Sequence, residues 1–165
     1  MIETDRLLLI PVDAEMIDSL LESDEAFFSR YGLINDGGEF VNPSPDYLHK
    51  IKQRLVDHPE EYPLAVDHLI VIKNIKTVIG SIDFKYLPNE RGVSEIGYGM
   101  KAKYEGRGYM TEAVLAMISF GKVNGVKTVI ADTLLDNVKS QKVLACCGFS
   151  LTRKEANKFW FSKPL

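Results

Sequence analysis

The chain has 165 residues, a formal net charge of −3 and a hydrophobic fraction of 45%. A domain near this length buries roughly 70% of the surface its unfolded chain exposes, so one compact core needs no disulfide or metal staple. The Lys and Arg residues are dispersed and no apolar stretch approaches the ~20 residues of a membrane span, which argues against nucleic-acid and membrane partners.

Met1 leads straight into Thr4-Asp5-Arg6, without the basic-then-apolar order of a secretory signal. Leu7 to Ile10, ending at Pro11, reads as a short buried strand. Asp13 stands at an N-cap position ahead of Ile17, Leu20 and Leu21 at helical spacing. Phe27, Phe28 and Tyr31 extend an apolar face into a second short helix, with Gly37-Gly38 expected to close it and a loop from Pro43 to Pro45. Asp46, Tyr47, Leu48, Ile51 and Leu55 predict a third helix ending near Pro59. The texture then changes. Residues 64–73, 78–87 and 93–101 are β-branched or aromatic runs with short turn-like spacers, the pattern of antiparallel hairpins. A glycine-containing loop from Tyr104 to Gly108 precedes an amphipathic helix bearing Met110, Ala113, Val114, Met117, Ile118 and Gly121 on one face. Residues 128–134 form a strand, Asn137 to Cys147 a helix closed by Gly148, and the tail two short strands. Cys146 and Cys147, on the last turn of that helix, read as core residues, and two adjacent unbridged thiols fit a reducing compartment, hence the cytoplasm. Trp160, between Phe159 and Phe161, reads as sheet packing, with an acceptor pocket as the alternative. The layout is α+β, a single domain over residues 1–165 with helices covering a mostly antiparallel sheet.

The stretch from Glu95 to Glu112 carries the chemistry. A strand runs into a loop with Gly106 and Gly108, and the loop opens a helix. The first-turn N–H groups of a helix have no internal partner, and the dipole there carries about half a positive charge. Glycines let such a backbone approach a large anion, so the outline is either a phosphate cradle or simply a tight turn. The spacing matches neither Gly-x-Gly-x-x-Gly nor Gly-Lys-Ser/Thr. His49, His58 and His68 are dispersed and no His-x-x-x-His or Cys-x-x-Cys occurs, so no metal is expected.

Three separated stretches resemble the GCN5-related N-acetyltransferase superfamily, specifically its ribosomal-protein N-terminal acetyltransferase branch. They are Glu3 to Pro11, Glu95 to Ala113 with Gly-Arg-Gly-Tyr-Met-Thr-Glu-Ala, and Asn137-Val-Lys-Ser140 followed by Gly148-Phe149. The superfamily pattern Gln/Arg-x-x-Gly-x-Gly/Ala falls on Glu105 to Met110, where only Gly108 matches strictly. The resemblance implies six to seven strands, about four helices, and two parallel strands that splay to hold acetyl-coenzyme A. It places the diphosphate on the backbone of Gly106, Arg107, Gly108, Tyr109, Met110 and Thr111, with the Arg107 side chain as a further partner. It assigns the pantetheine arm to Met100 and Ala102 in the preceding strand, and to Asn137, which reads equally well as a helix N-cap. Glu105 departs from the pattern: a carboxylate about 4 Å from a phosphate costs up to roughly 4 kcal/mol at an effective dielectric near 20.

Acyl transfer to an amine requires a neutral nucleophile and a proton for the departing thiolate. Neutralising a lysine at pH 7.4 costs about 4 kcal/mol, whereas an α-amine costs under about 1. Glu95 is the expected base, or else a strand residue in a surface pair. Ser140 is expected to meet the thiol, or else to be a plain helix-surface serine, because Leu144 stands where many members of the superfamily place a tyrosine acid. Asp83 faces either the acceptor or solvent. The expected acceptor is a protein N-terminal α-amine, with a small-molecule amine as the alternative and a coenzyme A-binding sensor without turnover as a third reading. Residues 27–47 and the C-terminal hairpin would select the acceptor, and the resemblance also admits a homodimer.

Overall fold

The computed structural model describes residues 1–37 and 44–165. Eight strands form one sheet in the order β1-β2-β3-β4-β5-β6-β8-β7. They are β1 (Ile2–Glu3), β2 (Leu7–Pro11), β3 (His68–Ile72), β4 (Thr77–Phe84), β5 (Val93–Met100), β6 (Thr128–Leu134), β7 (Ser150–Lys154) and β8 (Lys158–Pro164). Among the described residues five α-helices accompany them, α1 (Ala14–Glu22), α2 (Asp24–Tyr31), α3 (Pro45–Asp57), α4 (Tyr109–Val123) and α5 (Val138–Cys146), with short 3-10 turns at Pro59–Glu61 and Ala102–Tyr104. The strand beyond the expected seven is β1, two residues long and too short to show an alternation in sequence.

Local signals explain most boundaries. Asp13 caps α1, its carboxylate accepting the Met16 amide at 2.8 Å. Ser23 ends α1 and caps α2 by accepting the Ala26 amide at 3.0 Å, so two helices abut with no linker to separate them in sequence. Gly32, in the left-handed region at φ 61°, closes α2. The expected closure at Gly37-Gly38 therefore falls five residues too late; Gly38 and Pro43 lie outside the described residues.

The meander β3-β4-β5 is antiparallel throughout. Both sheet faces are covered. Ile70, Ile82, Phe84, Ile96 and Val129 pack under α4 and α5 with Met110, Val114, Met117 and Leu144. Leu69, Val71 and Val78 pack on the other face under α1, α2 and α3 with Ile17, Phe27 and Leu48. Alternation along β3 thus feeds two cores, which is why its run of five buried residues shows no polar face.

His68 is the buried polar residue at the start of β3, only 1% exposed. Its Nδ1 lies 2.9 Å from the Val66 carbonyl, its Nε2 has no partner, and its ring meets Phe120 edge-on. Burial lowers the imidazole to about 4, with the Val66 bond opposing and the N-terminal charge adding to the shift. A base depressed on folding contributes stability above its unfolded pKa near 6.5 and loses it as pH falls through the folded value. The loss is on the order of 3 kcal/mol. Denaturant unfolding at pH 7 and pH 4 is expected to show this extra loss in the native protein and not in His68→Gln; equal pH slopes in the two would contradict it.

Candidate active site

β5 and β6 are parallel but pair only over Val93–Glu95 with Thr128–Ile130. Beyond that point β5 stays on β4 as far as Met100, and β6 stays on β8 as far as Leu134. The edge of β5 facing β6 consequently has no strand partner from Ile96 onward. Unpaired strand amides and carbonyls are costly unless a ligand bonds them. Ile96, Tyr98 and Met100 point toward α4, and Glu95, Gly97 and Gly99 toward the opposite face.

On the α4 side this edge borders a cavity of about 670 Å³, which extends along the glycine loop to the first turns of α5. Met100, Ala102, Gly106, Gly108, Tyr109, Met110, Thr111, Asn137 and Ser140 all line it. Two expectations need correction. Ala102 is not in the strand: β5 stops at Met100, and Ala102–Tyr104 is a 3-10 turn. Arg107 does not line the cavity; its guanidinium lies 5.7 Å from the Tyr104 ring centroid, and its carbonyl accepts a bond from Arg6 Nη1 at 3.1 Å.

Gly108 takes φ 79°, a conformation that suits glycine, and starts α4 with no side-chain cap. The first amide to bond back into the helix is that of Glu112, to the Gly108 carbonyl at 3.0 Å. The amides of Tyr109, Met110 and Thr111 therefore face the cavity end without helical partners. This turn is clamped from a distance. Glu112 accepts the Thr4 hydroxyl at 2.6 Å, the Arg6 amide at 2.9 Å and Arg6 Nε at 2.6 Å, and the Arg6 guanidinium also stacks over Tyr109 at 4.5 Å. The Thr4-Asp5-Arg6 segment thus ties β2 to the glycine loop. Glu105, the departure from the expected pattern, is ion-paired with Lys139 of α5. This pair sets a positive charge beside the carboxylate at the cavity wall and reduces the anticipated repulsion, although Lys139 is itself 77% exposed.

Asn137 is the N-cap of α5, its side chain accepting the Ser140 amide at 3.0 Å, and it also borders the cavity. Ser140 Oγ lies 2.9 Å from the phenol oxygen of Tyr98. Tyr98 was missed in the sequence, although it shares strand parity with Met100 and so had to face the same side. Burial pushes its phenol up to about 12, with the Ser140 bond opposing, so it stays protonated. Leu144, fully buried, belongs to the core. The cysteines divide. Cys147 is buried, its thiol pushed up to about 11 by burial and by neighbouring Cys146, whereas Cys146 is exposed and lines the cavity rather than the core.

The opposite face of the split is charged. Glu95 is only 12% exposed along its side chain and is ion-paired with Lys85. Lys85 also lies 3.5 Å from Asp132, whose other oxygen meets Lys158 at 2.6 Å. Burial raises Asp132, but the Lys158 bond and the Lys85 charge outweigh it and hold the carboxyl below its usual range. Glu95 is thus in an ion pair, as its alternative reading has it, but largely buried rather than on the surface. Trp160 stands opposite Asp132 in the β6–β8 ladder, on this face, while Phe161 enters the core. Asp83 also faces this side, its Oδ1 lying 2.7 Å from where a Cβ of Gly97 would stand. Among the described residues, no three His, Cys, Asp or Glu are arranged to hold a metal ion. No helix among the described residues is long and apolar enough to cross a membrane.

Free first-turn amides, an unpaired strand edge and a cavity joining them suit a ligand that carries a diphosphate at one end and amides along an arm, and coenzyme A has that make-up. The comparisons with known proteins agree. The chain is 28% identical over 164 residues to a Bacillus subtilis (strain 168) protein described as the uncharacterized N-acetyltransferase YjdG, covering 97% of this chain and 96% of that one. Its fold is similar to that of RimL, a ribosomal L7/L12 alpha-N-protein acetyltransferase solved in complex with coenzyme A (TM-score 0.71, 17% identity, 98% and 96% of the two chains). It is also similar to that of the microcin C7 self-immunity acetyltransferase MccE, solved with acetyl-CoA and AMP (TM-score 0.68, 21% identity, 98% and 94%). Residues 6–150 match the acetyltransferase (GNAT) domain, a span that includes the split strands, the glycine loop and the Arg6–Glu112 pair; the chain belongs to the GNAT acetyltransferase family.

Proposed function

We propose that the protein moves an acetyl group from acetyl-coenzyme A onto the α-amine of a protein N-terminus. The observation that carries the reading is the split between β5 and β6 beside an uncapped α4. Acetyl-coenzyme A supplies the activated thioester. The amides of residues 109–111 bind its diphosphate, and the free edge of β5 with Asn137 aligns the arm. The Tyr98–Ser140 hydroxyl pair holds a proton for the departing sulfur. RimL, by its name, acts on an α-amine of a protein. The energetics favour the same class, because an α-amine is neutralised for under about 1 kcal/mol near pH 7.4 and a lysine for about 4. A small-molecule amine is the second reading, favoured by the two carboxylates on the acceptor face, Asp67 and Asp83, that burial pushes toward neutrality. Of the two features that support the sensor reading, Glu105 is ion-paired with Lys139, and the missing helix tyrosine at Leu144 is met by the Tyr98–Ser140 hydroxyl pair.

Three outcomes test this. Gly108→Glu places a Cβ at φ 79° and a carboxylate at the amide cluster; calorimetry is expected to show coenzyme A affinity falling by at least about 100-fold. Peptides with a free N-terminus and one internal lysine are expected to be acetylated at the α-amine, as mapped by mass spectrometry. Modification of the lysine alone, or of polyamines and amino sugars alone, rejects the N-terminal assignment. Tyr98→Phe and Ser140→Ala are each expected to lower kcat by roughly 10²-fold at unchanged coenzyme A affinity. A fall in affinity alone would make the pair a binding element.

A further inference from the structure

We propose that Asp83 is a catalytic residue of the acceptor side, its carboxylate taking the proton of the incoming ammonium. This rests on the acetyl-transfer reading and adds a residue to it. Asp83 stands opposite Gly97 in the β4–β5 ladder. Its neighbours Ile82 and Phe84 enter the core beneath α4, so Asp83 projects from the other face. With no side chain on Gly97, the carboxylate leans over β5, Oδ1 occupying space 2.7 Å from the missing Cβ. Gly99, the next residue on that face, has nothing within 4 Å of its Cβ position. Lys85 Cε also lies 3.4 Å from the Gly97 Cβ position, so the open surface of β5 is at Gly99, on the stretch that has parted from β6. Tyr98, which meets Ser140 in the cavity, lies between these two glycines on the reverse face. An amine crossing the split would leave Asp83 on one side and reach the cavity on the other.

The surrounding charges single out Asp83. Glu95 is held by Lys85 and Asp132 by Lys158, whereas no donor among the described residues bonds the Asp83 carboxylate. Asp67 lies next to the start of β3, Lys85 directly after the end of β4, Glu95 on β5, and Tyr47 and Arg54 on α3. Burial first, then the Asp67 and Glu95 charges, raise the Asp83 carboxyl to about 7, with Lys85 and Arg54 opposing. Arg54 is committed elsewhere, to the Lys85 carbonyl at 3.0 Å and to Glu61 at 2.5 Å. Burial, Asp67 and Asp83 raise the Tyr47 phenol, which stays protonated above these carboxylates.

The protons balance as follows. The ammonium R–NH3⁺ gives one proton to the Asp83 carboxylate and becomes R–NH2. The amine nitrogen then forms its bond to the acetyl carbon as the carbon–sulfur bond breaks. Sulfur takes a proton from the Tyr98–Ser140 pair, and the second N–H proton, acidified by the new bond, replaces it. Asp83 returns its proton to water, so each turnover releases one proton.

Asp83→Asn and Gly97→Ala test the assignment; the second leaves Asp83 in place while its Cβ displaces the carboxylate. In cofactor-free protein, ¹³C NMR is expected to show the Asp83 carboxyl titrating near pH 7, with the midpoint moved by Gly97→Ala. Both variants are expected to bind coenzyme A within about twofold of the native protein. For Asp83→Asn, kcat/KM is expected to fall roughly 10²-fold at pH 7 and to recover at high pH, where the amine is already neutral. Titration of Asp83 below pH 5, or a native pH profile in Asp83→Asn, overturns the proposal. Using both peptide and small-amine acceptors separates the two readings. If only small amines are turned over, the N-terminal acceptor fails and Asp83 is judged on those amines; if neither class is turned over, the acetyl-transfer reading fails and this proposal with it.

Discussion

The parting of β5 from β6 follows from where each strand is already committed. β5 is bonded to β4 as far as Met100, and β6 to β8 along its whole length. Neither can bend toward the other without breaking an antiparallel ladder, so three residues of parallel pairing is all that they share. A buried backbone group without a partner costs about 1–3 kcal/mol. A ligand that brings its own amides to this edge offsets that cost, and the split becomes a binding site because it would otherwise be a defect.

The sheet also separates two kinds of electrostatics. On the α4 side the cavity presents backbone amides, the Glu105–Lys139 pair and the neutral hydroxyls of Tyr98 and Ser140, a setting for an anion and a thiol. On the other side Lys85 pairs with Glu95 and Lys158 with Asp132, and among the described residues no donor bonds the carboxylate over Gly97. The two faces thus differ in electrostatic character and meet only where the strands part. The clamp from Thr4 and Arg6 to Glu112 keeps the amide cluster in register with that opening. Without it, the glycines at 106 and 108 would leave the loop free to adopt other conformations.

Much of this was legible residue by residue. Asp13 and Asn137 are N-caps as their positions predict, and the three β-branched runs form the expected meander. The glycine loop opens α4, and the residues expected to bind the cofactor line one cavity, apart from Arg107. Where local reading failed, a competing local signal was present. Gly32 closes α2 before the more conspicuous Gly37 is reached, and Ala102 continues a β-like run that had already turned into a 3-10 helix. Cys146 and Cys147 share an apolar context in sequence, yet successive helical residues are 100° apart, so one enters the core and the other the cavity.

The sequence by itself determined the order of elements, their caps and the free amides at the start of α4, because these depend on residues within a turn or two of one another. Tertiary structure decided what the side chains at the split can do. Tyr98 finds Ser140 across 42 positions and Lys139 compensates Glu105 across 34, while Lys85 occupies Glu95 and leaves Asp83 free. Those partnerships arise from strand order and sheet face, and a side chain's proton affinity follows from its partners and its burial rather than from its place in the chain.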